Sequence, residues 1–277
     1  MTTEPRRSTS GGISLLRAGR ARGRPLALLH GIGSNAQSFA AMMTAMAPSR
    51  PLLAWDAPGY GGSAPLLVEW PTAGDYAAAL AGMLDRLEIR SIDLLGHSMG
   101  ALVAGRFACA FPKRVGRLIL ASPALGYATK PGEALALPAA ARLDAMISEG
   151  AERFAATRGP RLVHATHDSV LVAGVVKGMS EVKLPGYAQA SRMLSCADLV
   201  GDGAQIAVPT LVLVGGEDQV TPPANCRRLF DAMAAASPGL AHRFEIIADA
   251  GHALPQERPQ AVADLVAAFA PPVPAEA

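Results

Sequence analysis

The chain has 277 residues, half of them apolar and 17% charged, with 25 Lys and Arg against 23 Asp and Glu. A length of this order suits one large α/β domain with an ample core, and a charge so near balance, without any Lys/Arg block, excludes the electrostatic footprint of a nucleic-acid binder. No apolar run of roughly eighteen residues free of charge or proline marks a membrane span, so neither nucleic acid nor membrane is an expected partner.

Cys109, Cys196 and Cys226 have neither even number nor metal-ligand spacing and read as free thiols in a reducing compartment. Met1–Gly12 carry Arg6 and Arg7 with no apolar stretch behind them. They read as a loose leader and not as a secretory signal, and the expectation is a soluble, cytoplasmic protein. A first strand is predicted over Ile13–Leu16. The continuous apolar run Leu26-Ala27-Leu28-Leu29 suits a strand buried on both faces, and it ends in His30-Gly31-Ile32-Gly33-Ser34-Asn35. A helix over Gln37–Ala47 follows, with Met42, Met43 and Met46 on its core face, and Pro48 stops it. Strand Pro51–Trp55 then runs into Asp56-Ala57-Pro58-Gly59-Tyr60-Gly61-Gly62-Ser63, where three glycines and a proline force a turn that Asp56 and Ser63 help to build. Thr72–Leu87 is a predicted helix with Asp75 in its first turn, favourable to the helix dipole.

Ile92–Leu95 is the next predicted strand, followed by Gly96-His97-Ser98-Met99-Gly100 and a helix over Ala101–Phe111. The pattern G-x-S-x-G at a strand-to-helix turn presents a serine hydroxyl at a helix N-terminus, although a serine that merely caps a helix also fits it. Arg117–Ala121 reads as a further buried strand. Strand and helix alternate throughout this part, which argues for a doubly wound, mostly parallel sheet.

From Tyr127 to about Val200 the alternation stops. Helices are predicted over Glu133–Glu149, Ala151–Arg158, Ser169–Met179 and Tyr187–Leu194, and the stretch reads as a helical insertion at residues 127–200 between core segments 1–126 and 201–277. Alternation resumes with strand Thr210–Val214, helix Pro223–Ala236, strand Arg243–Ile247 and helix Pro259–Phe269, and a Pro-rich tail, Ala270–Ala277, is expected to fray.

Parallel strands deliver their C-terminal ends to one edge, where ligands bind. Three such ends carry Ser98, then Gly215-Gly216-Glu217-Asp218, then Asp249-Ala250-Gly251-His252. A serine hydroxyl needs a base to become a nucleophile at neutral pH, an imidazole titrates in the right range, and a carboxylate fixes its tautomer. Asp218, Glu217 and Asp249 are all candidates for that carboxylate. An attacked carbonyl becomes an oxyanion, and the backbone N–H groups of Ile32 and Met99 are the candidate donors to it.

Taken together, these residues resemble the α/β-hydrolase superfamily over nearly the whole chain. His30-Gly31 is similar to its oxyanion loop, Asp56 to Ser63 to its D-x-x-G-x-G-x-S turn, and Gly96 to Gly100 to its nucleophile elbow. Gly215 to Asp218 is similar to its G-x-x-D acid loop and Gly251-His252 to its terminal G-H. The resemblance implies an eight-stranded sheet with a helical lid after the sixth strand. It also implies Ser98 as nucleophile, His252 as general base and acid, Asp218 as the residue that orients His252, and no cofactor. His30 and His97 then shape loops. His164 and His167 invite a metal reading, but no third ligand is placed by sequence and the implied mechanism needs no metal.

A serine at the elbow excludes the branches of the family that use an aspartate there. What remains is attack on a carbonyl. The branch with the nearest look is the enol-lactonase and small-ester hydrolase group, so the expected substrate is a small-molecule carboxylic ester or lactone. The meta-cleavage-product hydrolases, which break a carbon–carbon bond, are the alternative. They usually carry G-P-G, an asparagine before the serine and two glycines after Met, where this chain has Gly33-Ser34-Asn35, His97 and Gly100-Ala101. A member that binds ligand without turnover is a third reading. The sequence carries no signal for oligomeric state.

Overall fold

A computed structural model describes residues 4–19, 22–164 and 168–269. Eight strands form one sheet: β1 (Arg6–Ser10), β2 (Ile13–Ala18), β3 (Leu26–Leu29), β4 (Leu52–Trp55), β5 (Ile92–His97), β6 (Val115–Ala121), β7 (Thr210–Gly215) and β8 (His242–Ile247). Their order is β1-β2-β4-β3-β5-β6-β7-β8. Strands β3 to β8 are mutually parallel, while β1 and β2 form an antiparallel pair that joins the sheet at β4. Arg6–Ser10 therefore corrects the expectation of a loose leader. Its side chains are half-buried or exposed, so hydropathy gave no signal, but ladder bonds to β2 hold the backbone in the sheet.

The strands read as continuous apolar runs because both faces are covered. Leu94 and Leu118 pack on one face with α2 (Ala73–Arg86) and α3 (Met99–Ala110). Leu95 and Ile119 point to the other, where α1 (Ala40–Met46) and α10 (Pro259–Ala268) lie, and Met42, Met43 and Met46 are buried there as expected. Thr72 caps α2 through a reciprocal capping box with Asp75.

Between β6 and β7 the chain runs through α4 (Leu137–Arg158), a 3-10 turn (Gly159–Leu162), α5 (Ser169–Ser180), α6 (Leu184–Cys196) and α7 (Leu199–Gly203). The two helices expected over 133–149 and 151–158 are present as two helical runs of α4 that meet at a kink, where Gly150 is non-helical (φ 74°, ψ 163°), although the first begins only at Leu137; α6 starts earlier than expected because Pro185 occupies its first turn, where no backbone N–H is needed. After β7 come α8 (Pro223–Ala236) and, following β8, the short α9 (Leu254–Glu257) ahead of α10. The Pro-rich tail and His167 lie outside the described residues. Among the described residues no helix is long and apolar enough to cross a membrane.

Chain order along the sheet reverses at β3 and β5, which are neighbours although their outgoing connections leave in opposite directions. That reversal opens a crevice at the C-terminal edge, directly beside His30–Ser34 and Ser98. The opposite end of β5 is anchored by Asp93, which is 4% exposed and lies 2.7 Å from Arg50, 2.8 Å from Arg117 and 3.6 Å from Arg24. Removing this carboxylate strands two guanidiniums that are themselves largely buried. Asp93→Ala is therefore expected to lower the unfolding free energy by about 3–5 kcal/mol. Urea unfolding monitored by circular dichroism measures this, and a loss under about 1 kcal/mol is the size of a surface pair and contradicts the anchor.

Candidate active site

Strand β5 ends at His97, and the chain turns so sharply into α3 that Ser98 takes φ 54° and ψ −116°, a left-handed backbone that a serine adopts only under constraint. The turn closes because its flanks carry no side chains: a Cβ on Gly96 would lie 2.3 Å from the Gly100 carbonyl oxygen, and one on Gly100 would lie 2.2 Å from that of Leu29. The Ser98 N–H donates to Ala121 O on the neighbouring strand at 3.0 Å, which pins the turn to the sheet.

His252 arrives from β8, three strands away from β5. Its loop crosses back over the end of β7, where a Cβ on Gly215 would meet the Ala250 and Gly251 carbonyl oxygens at 2.3 and 2.4 Å. With that crossing open, His252 Nε2 stands 3.0 Å from Ser98 Oγ, and His252 Nδ1 stands 2.9 Å from Asp218 Oδ2. A carboxylate only accepts, so the proton is on Nδ1 and Nε2 is left as acceptor for the serine hydroxyl. Asp218 is 3% exposed, whereas Glu217 and Asp249 are exposed. Geometry thus brings Asp218, and neither of the other two acids, to the histidine.

Asp218 is also held by the chain that follows it. Its Oδ1 accepts the N–H groups of Val220 and Thr221, both at 2.8 Å, and its Oδ2 accepts the Thr221 hydroxyl at 2.8 Å. Burial pushes the carboxyl up, but the hydrogen bond and charge of His252, with the Thr221 donors, outweigh it and hold the group at about 2. Thr221 was missed by the sequence reading. An aspartate followed three residues later by threonine is an Asx-turn pattern, and that signal was present.

The N–H groups of Ile32 and Met99 have no acceptor among the described residues. They flank Ser98 from the β3 loop and from the first turn of α3, both of which line the same cavity as Ser98. His30 shapes the first of these donors: its Nδ1 donates to Gly31 O at 2.8 Å and its Nε2 accepts from Ala57 N–H at 2.9 Å, a pattern that only the neutral ring satisfies. Burial lowers its pKa accordingly. His97 Nε2 donates to the His252 carbonyl at 2.7 Å. Burial, helped by the neighbouring His252 ring, pushes its pKa down to about 3. Neither ring makes a hydrogen bond to Ser98 Oγ among the described residues; their partners are backbone groups of the surrounding loops.

A cavity of about 610 Å³ opens over Ser98, within the range of about 300–1,000 Å³ usual for small-molecule sites. The helical segment supplies much of its wall through Phe154, Val175, Met179, Tyr187 and Leu194. Arg142, Arg158 and Arg161 from that segment, and Arg228 from α8, also line it. Arg158 sits 4.9 Å over the Phe154 ring, which in turn meets Tyr187 edge-on. Periodicity gave no means of separating these arginines from solvated ones, because their shared wall is assembled from distant turns of chain. Glu257 is another residue the sequence did not single out. Its carboxylate accepts Gly251 N–H at 2.8 Å and His164 N–H at 2.9 Å, tying the histidine loop to the helical segment.

Residues 26–265 match the model of the alpha/beta hydrolase family. The chain is 30% identical to the dihydrolipoyllysine-residue acetyltransferase component of the acetoin cleaving system of Pseudomonas putida, over 96% of this chain and 69% of that one. It is 29% identical to the pimeloyl-[acyl-carrier protein] methyl ester esterase of Neisseria meningitidis, over 71% of this chain and 75% of that one. Two further curated relatives are matched over only 41% and 59% of their lengths. Among solved structures, the enol-lactonase of Burkholderia xenovorans LB400 superposes with a TM-score of 0.82 at 24% identity, covering 95% of this chain and 99% of that one, a likeness of fold.

The protonation states above set a sign for stability against pH. His97 falls from an ordinary 6.5 to about 3 on folding, so its contribution is fully present above 6.5 and is lost as pH drops toward 3. Asp218, lowered from 3.8 to about 2, adds a loss of the same sign below 3.8. The Tm is therefore expected to fall between about pH 7 and about pH 4, and to fall less steeply in His97→Gln, whose amide keeps the donor to His252 O. Equal slopes in calorimetric scans of the two proteins would contradict a neutral His97.

Proposed function

The chain belongs to the alpha/beta hydrolase family, and from that premise we propose that it hydrolyses a small-molecule carboxylic ester or lactone through an acyl-Ser98 intermediate. The observation that carries this reading is the unbroken relay from Asp218 Oδ2 through His252 to Ser98 Oγ, at 2.9 and 3.0 Å, beside two uncommitted backbone N–H groups.

In this reading Ser98 Oγ attacks the substrate carbonyl as its proton passes to His252 Nε2. A new C–O bond forms, and the carbonyl π pair moves onto oxygen, where the Ile32 and Met99 N–H groups meet it. Asp218 stabilises the imidazolium while remaining a carboxylate, consistent with its depressed pKa. Collapse of the tetrahedral adduct breaks the bond to the leaving alkoxide, which takes the proton from His252. In a lactone the leaving alcohol stays tethered to the acyl group. Water then gives a proton to His252 and attacks the acyl-enzyme, and the second collapse returns that proton to Ser98 and releases the carboxylic acid. The insertion at 127–200 acts as the lid in this scheme, since Phe154, Val175, Met179, Tyr187 and Leu194 wall the cavity over Ser98.

Hydrolysis of p-nitrophenyl butyrate tests the proposal. Ser98→Ala is expected to reduce kcat/KM by at least roughly 1,000-fold, and Asp218→Asn by on the order of 1,000- to 10,000-fold, because the amide favours the wrong tautomer of His252. A fluorophosphonate probe is expected to label Ser98 in the wild type and nothing in Ser98→Ala. An unchanged rate in Ser98→Ala overturns the nucleophile assignment. Labelling without turnover of any ester or lactone points to a ligand-binding role.

A further inference from the structure

Charge across the chain nearly cancels, at 25 basic against 23 acidic residues. The cavity over Ser98 does not share that balance. Arg142, Arg158, Arg161 and Arg228 line it, and no Asp or Glu does. Several guanidiniums elsewhere are matched with carboxylates: Arg50 and Arg117 with Asp93, Arg106 with Asp202, Arg114 with Asp85, Arg192 with Glu69. The four cavity arginines have no carboxylate within 4.0 Å among the described residues.

Their arrangement is also partly fixed. The bend of α4 at Gly150 turns its last two turns so that Phe154 and Arg158, four residues apart, both reach the cavity, and the Phe154 ring supports the Arg158 guanidinium from below at 4.9 Å. Stacking occupies one face of the guanidinium and leaves its in-plane donors free. Tyr187 lines the same wall, and its hydroxyl makes no hydrogen bond among the described residues, while Arg142 donates to the Tyr127 hydroxyl at 3.4 Å. Arg142 and Arg158 both stand close enough to exert a charge effect on that phenol. A phenol hydroxyl that opens on the cavity, beside cations without carboxylate counter-ions, is a set of donors that can receive an anionic ligand.

We propose that the substrate of the Ser98 site carries a second, ionised carboxylate, received by Arg158 and Tyr187 with Arg142, Arg161 and Arg228 adding to the field, so that the reaction releases a dicarboxylate or a hydroxy dicarboxylate. This rests on the serine-hydrolase reading above for the chemistry, but not for the anion site itself. A planar carboxylate takes two parallel N–H bonds from one guanidinium, and the low-dielectric wall of Phe154, Met179 and Leu194 strengthens them. Charge at the site also steers an anion toward it, an effect that salt screens.

The test compares two esters of equal acyl length, p-nitrophenyl butyrate and p-nitrophenyl hemisuccinate, on the full chain. The wild type is expected to favour the hemisuccinate in kcat/KM by roughly 10-fold or more at low salt, with the preference shrinking as salt rises. Arg158→Gln is expected to reduce the preference ratio by roughly 10- to 100-fold, the scale of a charged hydrogen bond, and Arg158→Lys by less. Arg161→Gln/Arg228→Gln, at exposed positions that leave the fold intact, gives a second reduction. A ratio at or below one in the wild type, or one that none of these variants moves, overturns the proposal. Calorimetric titration of glutarate into Ser98→Ala separates this from a failure of the catalytic reading. Glutarate binding that Arg158→Gln abolishes sustains the anion site even if neither ester turns over. No binding, or binding no tighter than that of inorganic phosphate, defeats the carboxylate assignment.

Discussion

Ser98 holds a backbone conformation, φ 54° and ψ −116°, that costs on the order of 1–3 kcal/mol for a residue with a side chain. The contacts around it determine that it persists. Gly96 lies against the Gly100 carbonyl, Gly100 lies against that of Leu29, and the Ser98 N–H is bound to Ala121. The first contact joins β5 to α3 and the other two are made to the parallel strands β3 and β6, in a core where Leu28, Leu94, Leu95, Leu118 and Leu120 are fully buried. The serine is thus aimed by the sheet. Its hydroxyl stands proud of the turn, and the first N–H of α3 is left facing the same space.

The rest of the site is a problem of reach. Ser98 and the Ile32 loop are adjacent because β3 and β5 are, but His252 must come back across β7. Contact of the Ala250 and Gly251 backbone with Gly215 shortens that path, and Glu257 ties the same loop to His164, while Leu162 O accepts the N–H of Ala253 at 2.8 Å. The helical segment that walls the cavity therefore also buttresses the histidine. The cavity wall and the histidine loop thus share a few hydrogen bonds.

Electrostatics divides the cavity into two parts. Around Ser98 burial keeps the rings of His30 and His97 neutral, and the His30 hydrogen bonds suit only the neutral ring, so the carboxylate of Asp218 is the charge that faces His252. On the far wall the charge is positive and unbalanced, over aromatic and aliphatic side chains. Substrate chemistry would be read at that wall, and bond cleavage would occur at the serine.

The sequence by itself determined the alternation of strands and helices and the ends of the strands that carry Ser98, Asp218 and His252. Those signals are local: a run of apolar residues long enough to be buried on two faces, and a glycine where chains must pass closely. It misjudged Arg6–Ser10, whose polar side chains hide a backbone fixed by ladder bonds, but it divided α4 correctly at Gly150, where the backbone leaves the helical region. Tertiary structure alone decided which of three acids meets His252, since burial and the Thr221 donors select Asp218 over Glu217 and Asp249. It also decided which arginines of the helical segment face the serine. A helical period states that a residue is on a face; what that face looks onto depends on the bend at Gly150 and on the packing of helices far apart in the chain.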